Sequence, residues 1–242
     1  MERIPRTIHY CWFGGKEKPP LIRRCIESWK THLSGYEFQE WNETTFDVRQ
    51  IPYAAEAYEA KKYAFVSDYA RVYALYHHGG IYLDTDVEVF KPFDDLLHHD
   101  SFWGFEQAHY IATSTIGARR RNRLIGMFLQ TYEGRSFLRE DGGFDELTNV
   151  AGVTRLLKEL GLRADGEYQE LAGIGSFYPQ TYFSPYDYIN CRSLRSEHTY
   201  TMHHFYKSWM PLRERWKGGV KRAASKVIGG DNIARLRGLV KK

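Results

Sequence analysis

Gly79-Gly80-Ile81-Tyr82-Leu83-Asp84-Thr85-Asp86 is a glycine pair, an apolar run and two acids one residue apart. A glycine pair in this place ends a helix. The apolar run after it reads as a short strand. Asp84 and Asp86 then stand at the strand's carboxyl end, where open α/β sheets bind ligands. In extended geometry the two acids share a face, and a tight turn lets both reach one ion. One or two carboxylates that leave room for water and substrate phosphates suit Mg²⁺ or Mn²⁺. Taken alone, an Asp-x-Asp is common and is more often a solvated acidic turn.

Working upstream, the apolar spacing predicts a long helix over about 54–78, closed by the glycine pair. Asp68 and Arg71 are three residues apart on it and share a face. On an open surface such a pair is worth a few tenths of a kcal/mol. In a cleft, the same carboxylate and guanidinium grip sugar hydroxyls. Residues 4–12 read as a strand running into Gly14-Gly15. Pro19-Pro20 open a helix that Gly35 stops, and residues 36–41 read as a second strand with Tyr36, Phe38 and Glu40 on one face.

Downstream, residues 87–90 resume strand character. Further strands are expected near 101–106, 110–115 and 199–205, with helices near 123–132 and 146–160. No internal repeat is visible. Strands alternating with helices argue for an α/β sheet. Two more clusters carry chemistry. Trp12 ends the first strand, as a core side chain or as a stacking wall for a base. His203-His204-Phe205-Tyr206-Lys207-Ser208-Trp209 offers a histidine that ligates a metal or donates to a phosphate, or one that is simply half-buried.

The chain has 242 residues, 43% hydrophobic and 26% charged, the balance of an ordinary globular protein. Its length suits one domain with an appendage. The net charge of +4 is an average of unlike parts. Residues 211–242 hold ten Lys/Arg and two Asp/Glu, a local +8, which leaves residues 1–210 at −4. We therefore expect a domain over 1–210 and a basic, partly helical tail over 211–242. Basic residues beside apolar ones suit an anionic membrane surface, and a flexible solubilising tail is the plainer reading. Cys11, Cys25 and Cys191 form no framework or Cys-x-x-Cys pair, so a reducing compartment is expected. Met1-Glu2-Arg3-Ile4-Pro5 lacks an apolar leader, and no apolar run approaches 18 residues.

Together, Ile4-Pro5-Arg6-Thr7-Ile8-His9-Tyr10-Cys11-Trp12-Phe13-Gly14-Gly15, Ser67-Asp68-Tyr69-Ala70-Arg71 and Leu75-Tyr76-His77-His78-Gly79-Gly80-Ile81-Tyr82-Leu83-Asp84-Thr85-Asp86 resemble a glycosyltransferase family, the one with the sugar-binding Asp-x-Asp region (family 32 type). It includes bacterial capsular-polysaccharide transferases and initiating α-1,6-mannosyltransferases. The glucosylating clostridial toxins are more distantly similar. The resemblance is dense over about 4–95, returns at 199–209 and is weak between.

The resemblance implies a GT-A nucleotide-sugar-binding fold, a single mixed central sheet flanked by helices. It implies Mn²⁺ (or Mg²⁺), a nucleotide-sugar donor, and retention at the anomeric carbon. Trp12 would stack on the base, and Asp68 and Arg71 would hold the donor sugar. Asp84 would touch sugar or ribose, partly through the metal, and Asp86 would ligate the metal directly. His203 or His204, with Ser208 and Trp209, would close over the diphosphate. Tyr82 would line the nucleotide pocket, and Asn149 would contact the sugar. The acceptor would be a glycan or lipid-linked saccharide, in capsule or other surface polysaccharide synthesis at the inner membrane surface of the cytoplasm, with no nucleic acid involved. Two alternatives stand beside this reading. One is a haloacid-dehalogenase-like phosphohydrolase, which shares the apolar strand followed by Asp-x-Asp. The other is a catalytically inactive basic membrane-binding protein.

Overall fold

The structure is a computed structural model that describes residues 3–206, apart from Ala108, Ile189 and Cys191. Ser208, Trp209 and the basic tail lie outside the described residues. The chain runs β1 (Thr7–Cys11), α1 (Pro20–His32), β2 (Glu37–Trp41), α2 (Pro52–Glu59), α3 (Tyr63–His78), β3 (Gly80–Leu83) and β4 (Val87–Val89). It continues through β5 (Ser101–Glu106), β6 (Tyr110–Ile111), β7 (Thr115–Ala118), α4 (Arg123–Gln130), α5 (Asn149–Glu159), β8 (Gln169–Leu171) and β9 (Gly175–Tyr178). Last come α6 (Gln180–Phe183), β10 (Tyr186–Asp187), β11 (Arg192–Ser193) and β12 (Thr201–His203).

The main sheet is mixed, with the order β2-β1-β3-β7-β5-β9-β8 and β6 added beside β5. The β2–β1, β1–β3 and β5–β9 pairings are parallel. The rest of the sheet is antiparallel. This is the expected mixed central sheet flanked by helices. Because β1 and β3 are parallel neighbours, Trp12 and Asp84 leave the sheet at one edge. β7 runs against β3, so Thr113 and Ser114, which precede it, come to that same edge.

Local chemistry accounts for most boundaries. Pro20 starts α1 in its first turn, where its missing N–H costs nothing. Asn122 and Thr148 cap α4 and α5 by accepting from Ile125 and Ala151. Gly79 ends α3 with φ 67°, the left-handed region that favours glycine.

Two expectations need correction. The single helix over 54–78 is two helices, because Lys61 turns the chain with φ 57° between Glu59 and Tyr63. The strand near 110–115 is likewise two, β6 and β7, broken at residues 112–114. There the Ala112 amide still reaches Gly104, while Asp84 takes the Ser114 carbonyl.

Core side chains fill both faces. On one, α2, α3, α4 and α5 pack Tyr53, Phe65, Val66, Tyr69, Val72, Leu75 and Phe128 against Trp103, Ile116 and Phe177. On the other, α1 packs Trp29 and Ile26 towards Ile8, Ile81 and the short ribbon that β4 makes with β12. The Trp29 indole donates to the Val87 carbonyl and Ser28 accepts from the Val89 amide, so α1 clamps that ribbon.

Candidate active site

Leu83 is the last residue of β3, and the chain turns at once. The Val87 amide donates to the Asp84 carbonyl at 2.9 Å, closing a turn over Asp84-Thr85-Asp86. That turn aims both acids at one place. β12 then lies antiparallel on β4, with His203 opposite Val87. One ligand atom each from Asp84, Asp86 and His203 lies within 4.8 Å of the others. The His203 Nε2 is 3.3 Å from Asp86 Oδ1, and the Tyr206 amide donates to Asp86 Oδ2 at 2.7 Å. His204 faces elsewhere, with its Nε2 2.8 Å from Glu88. The register of the ribbon therefore separates two adjacent histidines that the sequence left equivalent.

Arg71 organises the carboxylates from behind. It is on the buried side of α3, only 5% exposed. A guanidinium has five N–H groups, and here Nε and Nη1 make hydrogen bonds while Nη2 faces carboxylates. Nε donates to the Ser67 carbonyl at 3.3 Å, and Nη1 to the Thr113 carbonyl at 2.7 Å and hydroxyl at 3.1 Å. Nη2 is 2.8 Å from Asp68 and 3.2 Å from Asp84. Asp68 and Arg71 are thus a buried pair joined to Asp84, not a surface pair. Tyr82 is 1% exposed and donates its hydroxyl to Asp84 Oδ1 at 2.9 Å, with the Arg71 guanidinium 4.7 Å above its ring.

Burial lifts the Asp68 carboxyl to about 6, against the pull of Arg71. Burial also pushes Asp86 up, but His203 outweighs it, and with the Tyr206 amide holds the carboxyl at about 2. Burial opposes a proton on His203, but Asp86, with Asp84 and Glu106 beyond it, raises the imidazole to about 9. The site is thus a small patch of concentrated charge in a poorly hydrated place, where charge acts more strongly.

The residues fit a divalent cation. Two carboxylates and an imidazole form a mixed oxygen and nitrogen set, which suits Mn²⁺ better than Mg²⁺. His203 Nδ1 and the hydroxyl of Ser114, next to Asp84's hydrogen-bond acceptor, are buried without hydrogen-bond partners. Buried polar atoms are normally paired, and these two orphans lie at the edge where the carboxylates converge.

The other expected residues are placed as follows. Trp12 is half-buried at the end of β1, with its indole donating to the Lys16 carbonyl at 2.6 Å and the Lys18 ammonium 5.6 Å from its ring. Asn149 is buried at the start of α5. Its amide donates to the Asp68 carbonyl at 3.3 Å and accepts from the Tyr132 hydroxyl. Thr113, the Tyr206 amide and the Glu88–His204 pair were not foreseen. No motif marks them, since each contributes through the backbone or through a partner far along the chain.

Residues 19–103 match the glycosyltransferase sugar-binding region containing the DXD motif, and this span includes Asp68, Arg71, Asp84 and Asp86. The chain is 31% identical over 113 residues to inositol phosphoceramide mannosyltransferase 1 of Schizosaccharomyces pombe, covering 42% of this chain and 34% of that protein. It thus spans about a third of that relative's length. It is 27% identical over 224 residues to an uncharacterized glycosyltransferase of Acanthamoeba polyphaga mimivirus, covering 86% of this chain and 84% of that one. Among solved structures it is similar to the PaToxG glycosyltransferase at 20% identity and a TM-score of 0.49, over 66% of this chain and 70% of that one.

Proposed function

We propose that this chain, whose residues 19–103 match a glycosyltransferase sugar-binding region, is a metal-dependent, retaining hexosyltransferase. Its donor is a nucleotide-diphosphate sugar, and its acceptor a glycan or lipid-linked saccharide in surface polysaccharide synthesis. One observation carries the reading: Asp84, Asp86 and His203 converge at the edge where β1 and β3 end, within the family's matched span except for the histidine.

Asp84, Asp86 and His203 would hold Mn²⁺ or Mg²⁺, which neutralises a departing diphosphate. Breaking a sugar–phosphate bond leaves positive charge on the sugar and negative charge on the diphosphate. Asp68 and Asp84, fixed by Arg71, face the first charge. Arg71 Nη2 lies between Asp68 and Asp84, so it acts as a positioning residue for the two carboxylates. Asp84 Oδ1 is held by Tyr82 and Arg71, and both Asp86 oxygens by His203 and Tyr206. No residue of these motifs is required as a covalent nucleophile, and a front-face transfer needs none. The acceptor hydroxyl then loses its proton to the leaving phosphate.

A screen of nucleotide sugars with Mn²⁺ and with Mg²⁺ tests the reading. Release of the nucleoside diphosphate is expected with one donor, lost in Asp86→Ala. Absence of release from every donor with either ion would overturn it. The basic tail supports a position at the inner membrane surface. Equal flotation of the full chain and of residues 1–210 with anionic vesicles would sink that part.

A further inference from the structure

Beside the acidic cluster, α4 and α5 leave a groove of about 370 Å³ between them. Thr131, Arg135, Thr148, Asn149, Gly152 and Arg155 contribute to its wall. Asn149 joins the groove to the site, because its amide reaches the Asp68 carbonyl. Arg135 also acts on Asp68, lowering its proton affinity through space. Groove and site therefore share one electrostatic neighbourhood.

Arg135 is fixed in place. Its Nε donates to Asp145 at 2.6 Å, and its guanidinium lies 4.8 Å from the Tyr53 ring and 5.4 Å from the Tyr132 ring. Its Nη2 is buried and has no hydrogen-bond partner. A buried donor without an acceptor is costly, and more so when it is charged. Arg155 is exposed and makes no ion pair among the described residues. Hydroxyls, an amide and two guanidinium groups thus share the lining with Phe128, Leu147 and Leu156, on which the C–H faces of a sugar can lie, and Glu159 is the one acid among the lining residues. The composition fits a hydroxyl-rich molecule that carries an oxyanion. Gly152 faces open space in the groove, where a Cβ would meet nothing within 4 Å.

We infer that this groove receives the acceptor, a saccharide bearing a negatively charged phosphate ester or carboxylate. The inference rests on the transferase reading above and adds where, and with what charge, the second substrate binds. The neighbouring Asp68 places the acceptor beside the donor sugar.

Calorimetric titration of the full chain with glucose 6-phosphate, glucuronate and glucose tests it. At least one charged probe is expected to bind about tenfold more tightly than glucose, and the tighter of the two identifies the anion. Gly152→Phe should fill the groove and weaken that binding at least tenfold, while melting temperature and metal-dependent donor hydrolysis stay as in the wild type. Arg155→Glu, at an exposed position, should weaken the charged probe and leave glucose unchanged. Equal binding of charged and neutral probes, no binding of either charged probe, or full binding by both variants would overturn the assignment. Groove binding as expected in a chain that hydrolyses no nucleotide sugar would instead overturn the transferase reading and leave an anionic-saccharide site.

Discussion

His9 shows how much of the site's support is set at single residues. It is 2% exposed in β1, with Nε2 2.7 Å from the Gly79 carbonyl and Nδ1 3.2 Å from the Trp41 indole nitrogen. A carbonyl only accepts and an indole N–H only donates. The neutral ring with its proton on Nε2 satisfies both. A second proton would break the Trp41 bond and place charge in the core, near His78. Burial accordingly drops His9 to about 4. Above about pH 6.5 neither the folded nor the unfolded chain protonates this ring. Between about 6.5 and 4 the unfolded chain binds a proton that the folded chain refuses, so stability falls with falling pH, by up to about 1.4 kcal/mol per unit. Urea midpoints measured from pH 7 to 5 should show this slope, and His9→Gln should reduce it by about one proton. An unchanged slope in the variant would remove His9 as its source. The same scale sets the limit of sequence reading. Asp68, Arg71, Asp84 and Asp86 were legible because they are close along the chain. The choice between His203 and His204 was not, because a strand pairing with β4, over a hundred residues away, makes it.

Among the elements, the α3–β3 junction carries the most constraint. Gly79 and Gly80 turn the chain from a buried helix into a central strand with no connecting loop. A Cβ on Gly79 would stand 2.6 Å from the Arg120 backbone nitrogen, and one on Gly80 2.6 Å from the Thr7 carbonyl oxygen. Backbone atoms in a packed sheet cannot step aside. Gly79→Ala should therefore cost at least about 1–3 kcal/mol through its φ of 67°, with the clash added to that. Gly15→Ala, at φ 62° but with nothing within 4 Å, isolates the backbone cost alone. Equal urea midpoints for the two variants would show that the close approach is relieved. The glycine pair made this junction readable in advance. The break between α2 and α3 was not, since Lys61 makes a left-handed turn without glycine or proline to signal it. Nor were β8 and β9, three and four residues long, too short to establish a periodicity.

For the whole molecule, the site is assembled from stretches of the chain that lie far apart. His204 and Glu88 are 116 residues apart, and Tyr206 and Asp86 are 120 apart. A cation gripped by Asp84, Asp86 and His203 would therefore cross-link the fold across that distance. At a hundredfold excess over its Kd, such a ligand stabilises by about 2.7 kcal/mol. Mn²⁺ should raise the melting temperature by roughly 5–10 °C for a chain of this size, and chelator or Asp86→Ala should abolish the rise. No shift at saturating Mn²⁺ would show that the three side chains do not close on the ion. The same arrangement sets an order of events during synthesis. At about 5–20 residues per second, the ribosome delivers His203 on the order of ten seconds after Asp86. Until then β4 has no partner strand and the two carboxylates have no imidazole. A nascent chain, or one clipped before β12, carries the whole Asp-x-Asp motif and still lacks the imidazole, so the last of the described strands to emerge is the one that completes the cluster.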